Sequence, residues 1–158
     1  MRILGIDPGY GRLGLAIIDA EKGKKDIFVY SECFETDKKL PHAERLHLVK
    51  EKIHNTIEKY SPAVAGIESL MFSKNKKTAI GVAEARGVIL SEIASAKIPI
   101  YEYKPGEIKV AVTGSGASDK EQIKKMVEII LERSFDKKRD DECDAVAVAL
   151  TLSAIERF

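Results

Sequence analysis

The sequence predicts an α/β protein with one five-stranded mixed sheet flanked by helices. Three short apolar segments near the N-terminus are separated by short turns, which is typical of an antiparallel meander. Further along, short apolar runs alternate with longer segments of helical periodicity, which is typical of parallel strands joined by helices. Three antiparallel strands followed by alternating helices and strands can share one mixed sheet.

The composition is that of a folded protein with a substantial core. The chain has 158 residues, of which 44% are hydrophobic and 32% charged, so we expect a single domain over residues 1–158. No apolar run approaches the ~18 residues that a membrane span needs, and the first run meets Asp7 too early for a secretion signal. We therefore expect a cytoplasmic protein without membrane association, in which Cys33 and Cys143 are reduced and structural.

The first strands are connected by a glycine-rich turn that invites a second interpretation. Residues 9–14 match the G-x-G-x-x-G pattern of dinucleotide-binding loops, but that pattern requires a following helix. Here an apolar strand follows, so we interpret the glycines as a tight hairpin and reject nucleotide binding. The three strands are predicted at residues 3–6, 13–19 and 27–35.

Helical periodicity begins after Pro41 and ends at Ser61-Pro62. The sequence Ser118-Asp119-Lys120-Glu121 has the form of a capping box with Ser118 as the N-cap. Lys-Pro-Gly at residues 104–106 is predicted to turn the chain. Helices are predicted at about 41–59, 78–96, from 118 onward and 141–155, and strands at 63–67 and 98–103.

Two acidic residues directly follow predicted buried strands. Asp7 comes after the first strand, and Glu68 comes after the strand at 63–67. Such carboxylates are costly unless they are paired, exposed or bound to a cation. Neighbouring strands would bring the two together, where their charges repel unless a cation lies between them. The alternatives are an Asp7 that caps its own turn and a Glu68 exposed at a strand end.

A second pair of acids begins the last helix. Asp141 and Asp144 are three residues apart, so they project from one helical face. The helix dipole also favours acids in a first turn, and that alternative stays open for Asp140, Asp141 and Glu142. Asp144 is harder to explain in this way because residues 145–150 around it are apolar.

Oxygen ligands from separate elements are typical of Mg²⁺ sites, at which Mn²⁺ is expected to substitute. The four carboxylates would hold two ions about 4 Å apart, which can clamp the attacking water and the leaving oxygen of a phosphodiester. In this hypothesis Asp7 bridges both ions and Glu68 and Asp144 each help to hold one. Asp141 completes the site or orients water.

Basic residues lie near these acids in the sequence, as phosphate binding requires. Met71 and Phe72 lie between Glu68 and the first lysines and could wedge against DNA bases. The alternatives are a solvated surface for the lysines and core packing for Met71 and Phe72. The basic residues are Lys74, Lys76, Lys77, Lys109, Lys120, Lys137, Lys138 and Arg139, and the histidines His42, His47 and His54 are expected on the surface.

These residues in this order resemble the RuvC family of bacterial Holliday-junction resolvases. The resemblance covers nearly the whole chain and is strongest at residues 4–9, 67–68, 84–88 and 141–145. Lys74-Asn75, and Gly114-x-Gly116 followed by Lys120, also fit the family pattern. The first segment alone is not specific, because sugar kinases and actin-like ATPases begin with a similar loop.

The resemblance implies a ribonuclease H-like fold and a homodimer that makes paired symmetric nicks in four-way DNA junctions during recombination and repair. It implies that Lys109 and Lys120 assist at the phosphate, and that Met71 or Phe72 stacks into the junction. It also implies the RuvA–RuvB branch-migration complex as a partner. The helix at 78–96, whose Gly and Ala residues allow close approach, is the predicted dimer face.

Three other functions are compatible with parts of this pattern. A ribonuclease H-like nuclease acting on RNA would differ in its substrate, and a non-catalytic junction binder would gain nothing from four acids beside phosphates. An actin-like ATPase would need a longer chain with two domains. The sequence therefore favours a metal-dependent nuclease that leaves 5′-phosphates.

Overall fold

A computed structural model of the chain describes residues 1–69, 76–135 and 139–156. The strands are β1 (Arg2–Asp7), β2 (Arg12–Asp19), β3 (Ile27–Glu35), β4 (Val64–Glu68) and β5 (Ile100–Tyr103). The helices are α1 (His42–Tyr60), α2 (Lys76–Ser95), α3 (Pro105–Thr113), α4 (Lys120–Leu131) and α5 (Asp140–Glu156).

The five strands form one sheet in the order β3-β2-β1-β4-β5. Strands β1, β2 and β3 pair antiparallel, whereas β4 pairs parallel to both β1 and β5. The predicted mixed sheet, with its first three strands antiparallel, is thus confirmed. No helix formed by residues 1–69, 76–135 and 139–156 is long and apolar enough to cross a lipid bilayer.

Each face of the sheet is covered by its own apolar layer. Leu4 and Ile6 of β1 pack with α1 and α2 on one face, and Ile3 packs with α3, α4 and α5 on the other. Because strand side chains alternate between faces, Gly5 and Asp7 lie on the same face as Ile3, toward α5. The sheet therefore presents Asp7 to the helix that carries the other pair of acids.

Helix α5 packs directly against the sheet backbone because glycines lie beneath it. A Cβ added at Gly5 would overlap the Ala145 carbonyl oxygen and lie 2.7 Å from the Ala149 Cβ. A Cβ added at Gly14 would overlap the carbonyl oxygen of Asp141. The close approach brings the first turn of α5 to the end of β1.

The hairpin between β1 and β2 confirms the interpretation of the glycine-rich turn. Asp7 pairs with Gly14 across the two antiparallel strands, and a strand, not a helix, follows the loop. The helix that dinucleotide binding requires is therefore missing from this position. The three histidines lie on the surface as expected, with side chains between 42% and 66% exposed.

Two predictions about local structure were wrong. The Lys-Pro-Gly sequence begins helix α3 and does not form a turn, because Pro105 occupies the first helical position, where its missing N–H costs nothing. The N-cap of α4 is Asp119, one residue after the predicted Ser118, and its carboxylate accepts from the Gln122 N–H at 2.9 Å. Ser118 is instead buried, and its hydroxyl is hydrogen bonded to Thr113 at 2.6 Å.

Candidate active site

Asp7 and Glu68 end two adjacent parallel strands at the same edge of the sheet. Ile6 of β1 pairs with Ile67 of β4, so the next residue on each strand is one of the two acids. Both acids lie on the face covered by α5, and their carboxyl groups are close enough to hydrogen bond. The structure thus brings together the two strand-end acids that the sequence singled out.

The environment of these carboxyl groups opposes negative charge. Burial, together with the nearby carboxylates of Glu68, Asp144 and Asp141, raises the pKa of Asp7 to about 8. Burial is also the main cause of the raised pKa of Glu68 and of Asp144. A cluster of this kind needs a proton or a cation to hold it together.

Helix α5 adds Asp141 and Asp144 to the cluster. Asp141, whose side chain is 15% exposed, pairs with Arg12 at 3.4 Å and accepts from the Cys33 thiol at 3.7 Å. Asp144, whose side chain is 31% exposed, pairs with Lys120 at 3.5 Å. Asp141 and Asp144 therefore each have a basic side chain as counterion.

The other two acids in the first turn of α5, Asp140 and Glu142, differ in exposure and in their partners. The Asp140 side chain is 76% exposed, as expected of an acid that interacts with the helix dipole, and it lies 3.5 Å from Lys120. Glu142 is buried, and its carboxylate accepts from the Ser31 hydroxyl at 2.8 Å. Glu142 thus connects α5 to β3, in addition to its place in the first turn, where the helix dipole favours an acid.

Two clefts lie beside the carboxylates, and each is lined by two of them. Glu68 and Asp144 line a cleft of about 230 Å³ together with Lys109 and Lys120. Asp7 and Asp141 line a second cleft of about 500 Å³ together with Arg12 and other basic residues. Lys109 and Lys120 thus lie beside the carboxylates, where the sequence analysis expects them.

The donor set fits divalent cations in its chemistry, because it consists of carboxylate oxygens from three separate elements on one face. Within residues 1–69, 76–135 and 139–156, however, no three acidic, imidazole or thiol groups stand close enough to surround an ion. Asp141 and Asp144 are drawn instead toward Arg12 and Lys120. Two of the four carboxylates are thus engaged by basic side chains in this structure.

Several predicted nucleic-acid contacts cannot be placed. Met71, Phe72 and Lys74 lie outside the described residues, as do Lys137 and Lys138. Arg139 pairs with Glu35 at the end of β3. Lys76 and Lys77 begin helix α2, and only their backbone is described.

The structure adds basic residues that the sequence analysis did not single out. Arg12, Lys38 and Arg45 line the cleft that contains Asp7 and Asp141. Arg45 had a sequence signal, because it lies four residues before Val49 and eight before Ile53, on the buried stripe of α1. An arginine in line with these buried residues indicates that a polar site borders the apolar layer at this end of α1. Arg12 had a weaker signal, as the basic residue of the hairpin next to Asp7.

The fold and the site together define a class of protein. A mixed sheet with this strand order, carboxylates at the ends of β1 and β4, and further carboxylates on α5 are the features of a ribonuclease H-like nuclease. More particularly, the sequence profile of the crossover junction endodeoxyribonuclease RuvC matches residues 3–152. The chain belongs to the RuvC family.

Individual relatives agree with this assignment. The chain is 43% identical to the crossover junction endodeoxyribonuclease RuvC of Thermosipho melanesiensis over the full length of both. It is 42% identical to that of Thermotoga maritima, over 94% of this chain and 88% of the relative. The structure of Thermus thermophilus RuvC in complex with a Holliday junction substrate has a TM-score of 0.93 and 29% identity, over 99% of this chain and 95% of that one. The resemblance found in the sequence is therefore confirmed.

Proposed function

We propose that this chain is a crossover junction endodeoxyribonuclease that resolves four-way DNA junctions by paired symmetric nicks in recombination and repair. The observation that carries the proposal is the convergence of Asp7, Glu68, Asp141 and Asp144 on one face of the sheet in a chain of the RuvC family. A single nuclease domain over residues 1–158, acting in the cytoplasm, is part of the proposal.

The four carboxylates would hold the metal ions on which nucleases of this family depend. We propose two Mg²⁺ ions, for which Mn²⁺ can substitute. When bound, they supply activation of water and stabilisation of the leaving 3′ oxygen, so that the product carries a 5′-phosphate. Asp7 has the central position because all three other carboxylates raise its pKa.

The chain's own basic residues hold the DNA backbone against this acidic cluster. Lys109 and Lys120 line the cleft with Glu68 and Asp144, so each can contact the phosphate that lies over those acids. Without their charge the four acids would repel the substrate. Further contacts are proposed for Lys74, Lys76 and Lys77, with Met71 or Phe72 stacking into the junction.

A homodimer is proposed because a two-fold dimer suits a two-fold junction. Helix α2 presents an exposed stripe, in which Ile80 is 67% exposed and Gly87 has open space beside it. The spacing of this stripe follows the helical repeat, and its side chains are mostly small, so a second copy of α2 could approach closely. The stripe consists of Ile80, Ala83, Glu84, Gly87, Ser91 and Ala94.

The RuvA–RuvB branch-migration complex is the proposed partner of the dimer.

Cleavage of a synthetic four-way junction tests the function. With Mg²⁺, we expect two symmetric nicks with 5′-phosphate ends on a mapping gel, and loss of both in Asp7→Asn. A linear duplex of the same sequence and a structured RNA serve as control substrates. Preferential cleavage of the RNA would favour the ribonuclease alternative, and junction binding without any cleavage would favour the non-catalytic one.

A further inference from the structure

A cationic cleft lies beside the β1–β2 loop, whereas the cleft with Lys109 and Lys120 lies beside the end of β4, on the other side of β1 in the sheet order. It has a volume of about 500 Å³, and its acidic wall is formed by Asp7 and Asp141. Its basic wall is formed by Arg12, Lys38 and Arg45. The carboxylates therefore lie between two groups of basic side chains that come from different elements.

Arg45 is held in place within this cleft by neutral groups. Its Nε donates to the Thr36 hydroxyl oxygen at 2.8 Å, and its guanidinium lies 4.7 Å from the centre of the Tyr10 ring. Thr36 is itself fixed, because its hydroxyl donates to the Tyr10 carbonyl at 2.6 Å. These contacts fix the guanidinium of a residue that lines the cleft.

The loop beneath Arg45 keeps that guanidinium accessible. A Cβ added at Gly11 would lie 3.1 Å from a terminal nitrogen of Arg45, so a larger residue there would crowd it. Among the residues that the structure describes, no carboxylate pairs with Arg45, whereas Arg2, Arg12 and Arg86 each pair with one. A fixed arginine without a counterion, in a chain with 25 acidic residues, is suited to binding an anion.

We propose that Arg45, with Lys38 and Arg12, binds a phosphate of the cleaved strand that flanks the scissile phosphate. This inference rests on the proposed nuclease function. A strand whose scissile phosphate lies at the acids has to leave the cluster in both directions, and its next phosphates are repelled unless cations meet them. Lys109 and Lys120 meet the strand on one side, and the Arg45 cleft meets it on the other. Arg12 joins the phosphate when Asp141 releases it.

The first experiment measures binding of a four-way junction at several salt concentrations with Ca²⁺ in place of Mg²⁺. We expect Arg45→Gln to weaken binding by about tenfold and to lower the slope of log K against log salt by about 1, as loss of one phosphate contact does. Lys38→Gln, an exposed residue whose loss leaves the packing intact, should act in the same direction. Lys22→Gln, in the turn at the other end of the sheet, removes the same charge and should change neither quantity.

The second experiment separates a direct contact from an indirect one. Single uncharged methylphosphonates are placed along the cleaved strand on either side of the cut. We expect one flanking position to weaken binding by the wild-type protein but to have no further effect on Arg45→Gln. Equal losses in both proteins at every position would overturn the proposal.

The outcomes also separate this site from the nuclease function itself. If the wild-type protein nicks the junction while Arg45→Gln and Lys38→Gln bind it with unchanged affinity and salt slope, the site is wrong and the function stands. If the wild-type protein neither binds nor nicks the junction, both proposals fail.

Discussion

Asp7 is buried beside three other carboxylates, and no basic side chain in the described part of the chain pairs with it. Arg12 and Lys120 neutralise Asp141 and Asp144, which leaves Asp7 to depend on a shared proton with Glu68. This residue therefore links the metal requirement of the site to the stability of the metal-free protein.

Without metal, we expect the stability of the protein to fall as pH rises from about 4 to about 8. The folded state keeps the Asp7 proton up to a pKa of about 8, whereas the unfolded chain releases it near 3.8. The folded state thus binds more protons across this window, so the free energy of unfolding decreases with pH. Asp7→Asn removes the contribution of Asp7, so the decrease with pH should become smaller, with a remainder from Glu68 and Asp144, whose pKa is also raised. The variant should have a higher Tm at pH 8, by roughly 2–4 °C for each ~1 kcal/mol gained.

Thermal unfolding in a chelating buffer at several pH values measures this effect. Asp19→Asn is the matched control, because Arg2 holds Asp19 at 2.8 Å and lowers its pKa, so its loss should lower Tm slightly. A lower Tm for Asp7→Asn at pH 8, with an unchanged pH slope, would contradict the prediction.

Lys120→Gln should lower kcat for junction cleavage by about tenfold or more, because Lys120 supplies positive charge where the phosphate is proposed to lie. Its side chain is 69% exposed, so Tm should change little. Lys125→Gln, an exposed lysine on the same helix, is the control and should retain wild-type kcat. Steady-state cleavage of a labelled junction gives both values, and equal rates for the two variants would remove Lys120 from the mechanism.

At the scale of elements, the spacing between β1 and α5 decides whether the acids meet. Gly5 and Gly14 let the helix backbone lie directly on the sheet, and Asp141 and Asp144 follow at its first turns. Gly5 and Gly14 are therefore needed to form the site, although neither has a functional group that could act in the reaction.

Gly5→Ala should destabilise the protein by about 3 kcal/mol or more, because its Cβ would overlap the backbone of α5, which cannot move without repacking. Gly106→Ala places a methyl group in open space and should be nearly neutral. Denaturant unfolding of the two variants gives the comparison. A Gly5→Ala variant as stable as Gly106→Ala would mean that α5 can shift away from β1.

The strands and the acids at their ends could be predicted from the sequence because both depend on local patterns. Asp7 and Glu68 stood out as charges after buried runs, and parallel pairing was enough to bring them together. Helix α3 was missed because Lys-Pro-Gly is equally compatible with a turn and with a helix start. The position of Arg45 beside Tyr10 could not be predicted, since it depends on how α1 packs against the β1–β2 loop.

At the scale of the whole molecule, the proposed dimer makes a prediction about two similar isoleucines. Ile80 on α2 is 67% exposed and Ile129 on α4 is 65% exposed. Ile80→Lys should convert the dimer to a monomer, because it puts a charge into the proposed interface. Ile129→Lys should leave the dimer intact. Light scattering after size exclusion measures both, and the opposite pattern would move the interface to α4.

If the four carboxylates hold metal ions as proposed, the ion pairs Arg12–Asp141 and Lys120–Asp144 would couple metal binding to DNA binding. A cation held by Asp141 and Asp144 would release Arg12 and Lys120, and both would then be available to phosphates. Thermodynamic linkage requires the converse, so a bound junction should raise the affinity for Mg²⁺ by the same factor. The protein would then bind little metal in the absence of DNA, and the DNA-free protein would have little hydrolytic activity. Titration of Mg²⁺ with and without an uncleavable junction would measure this cooperativity.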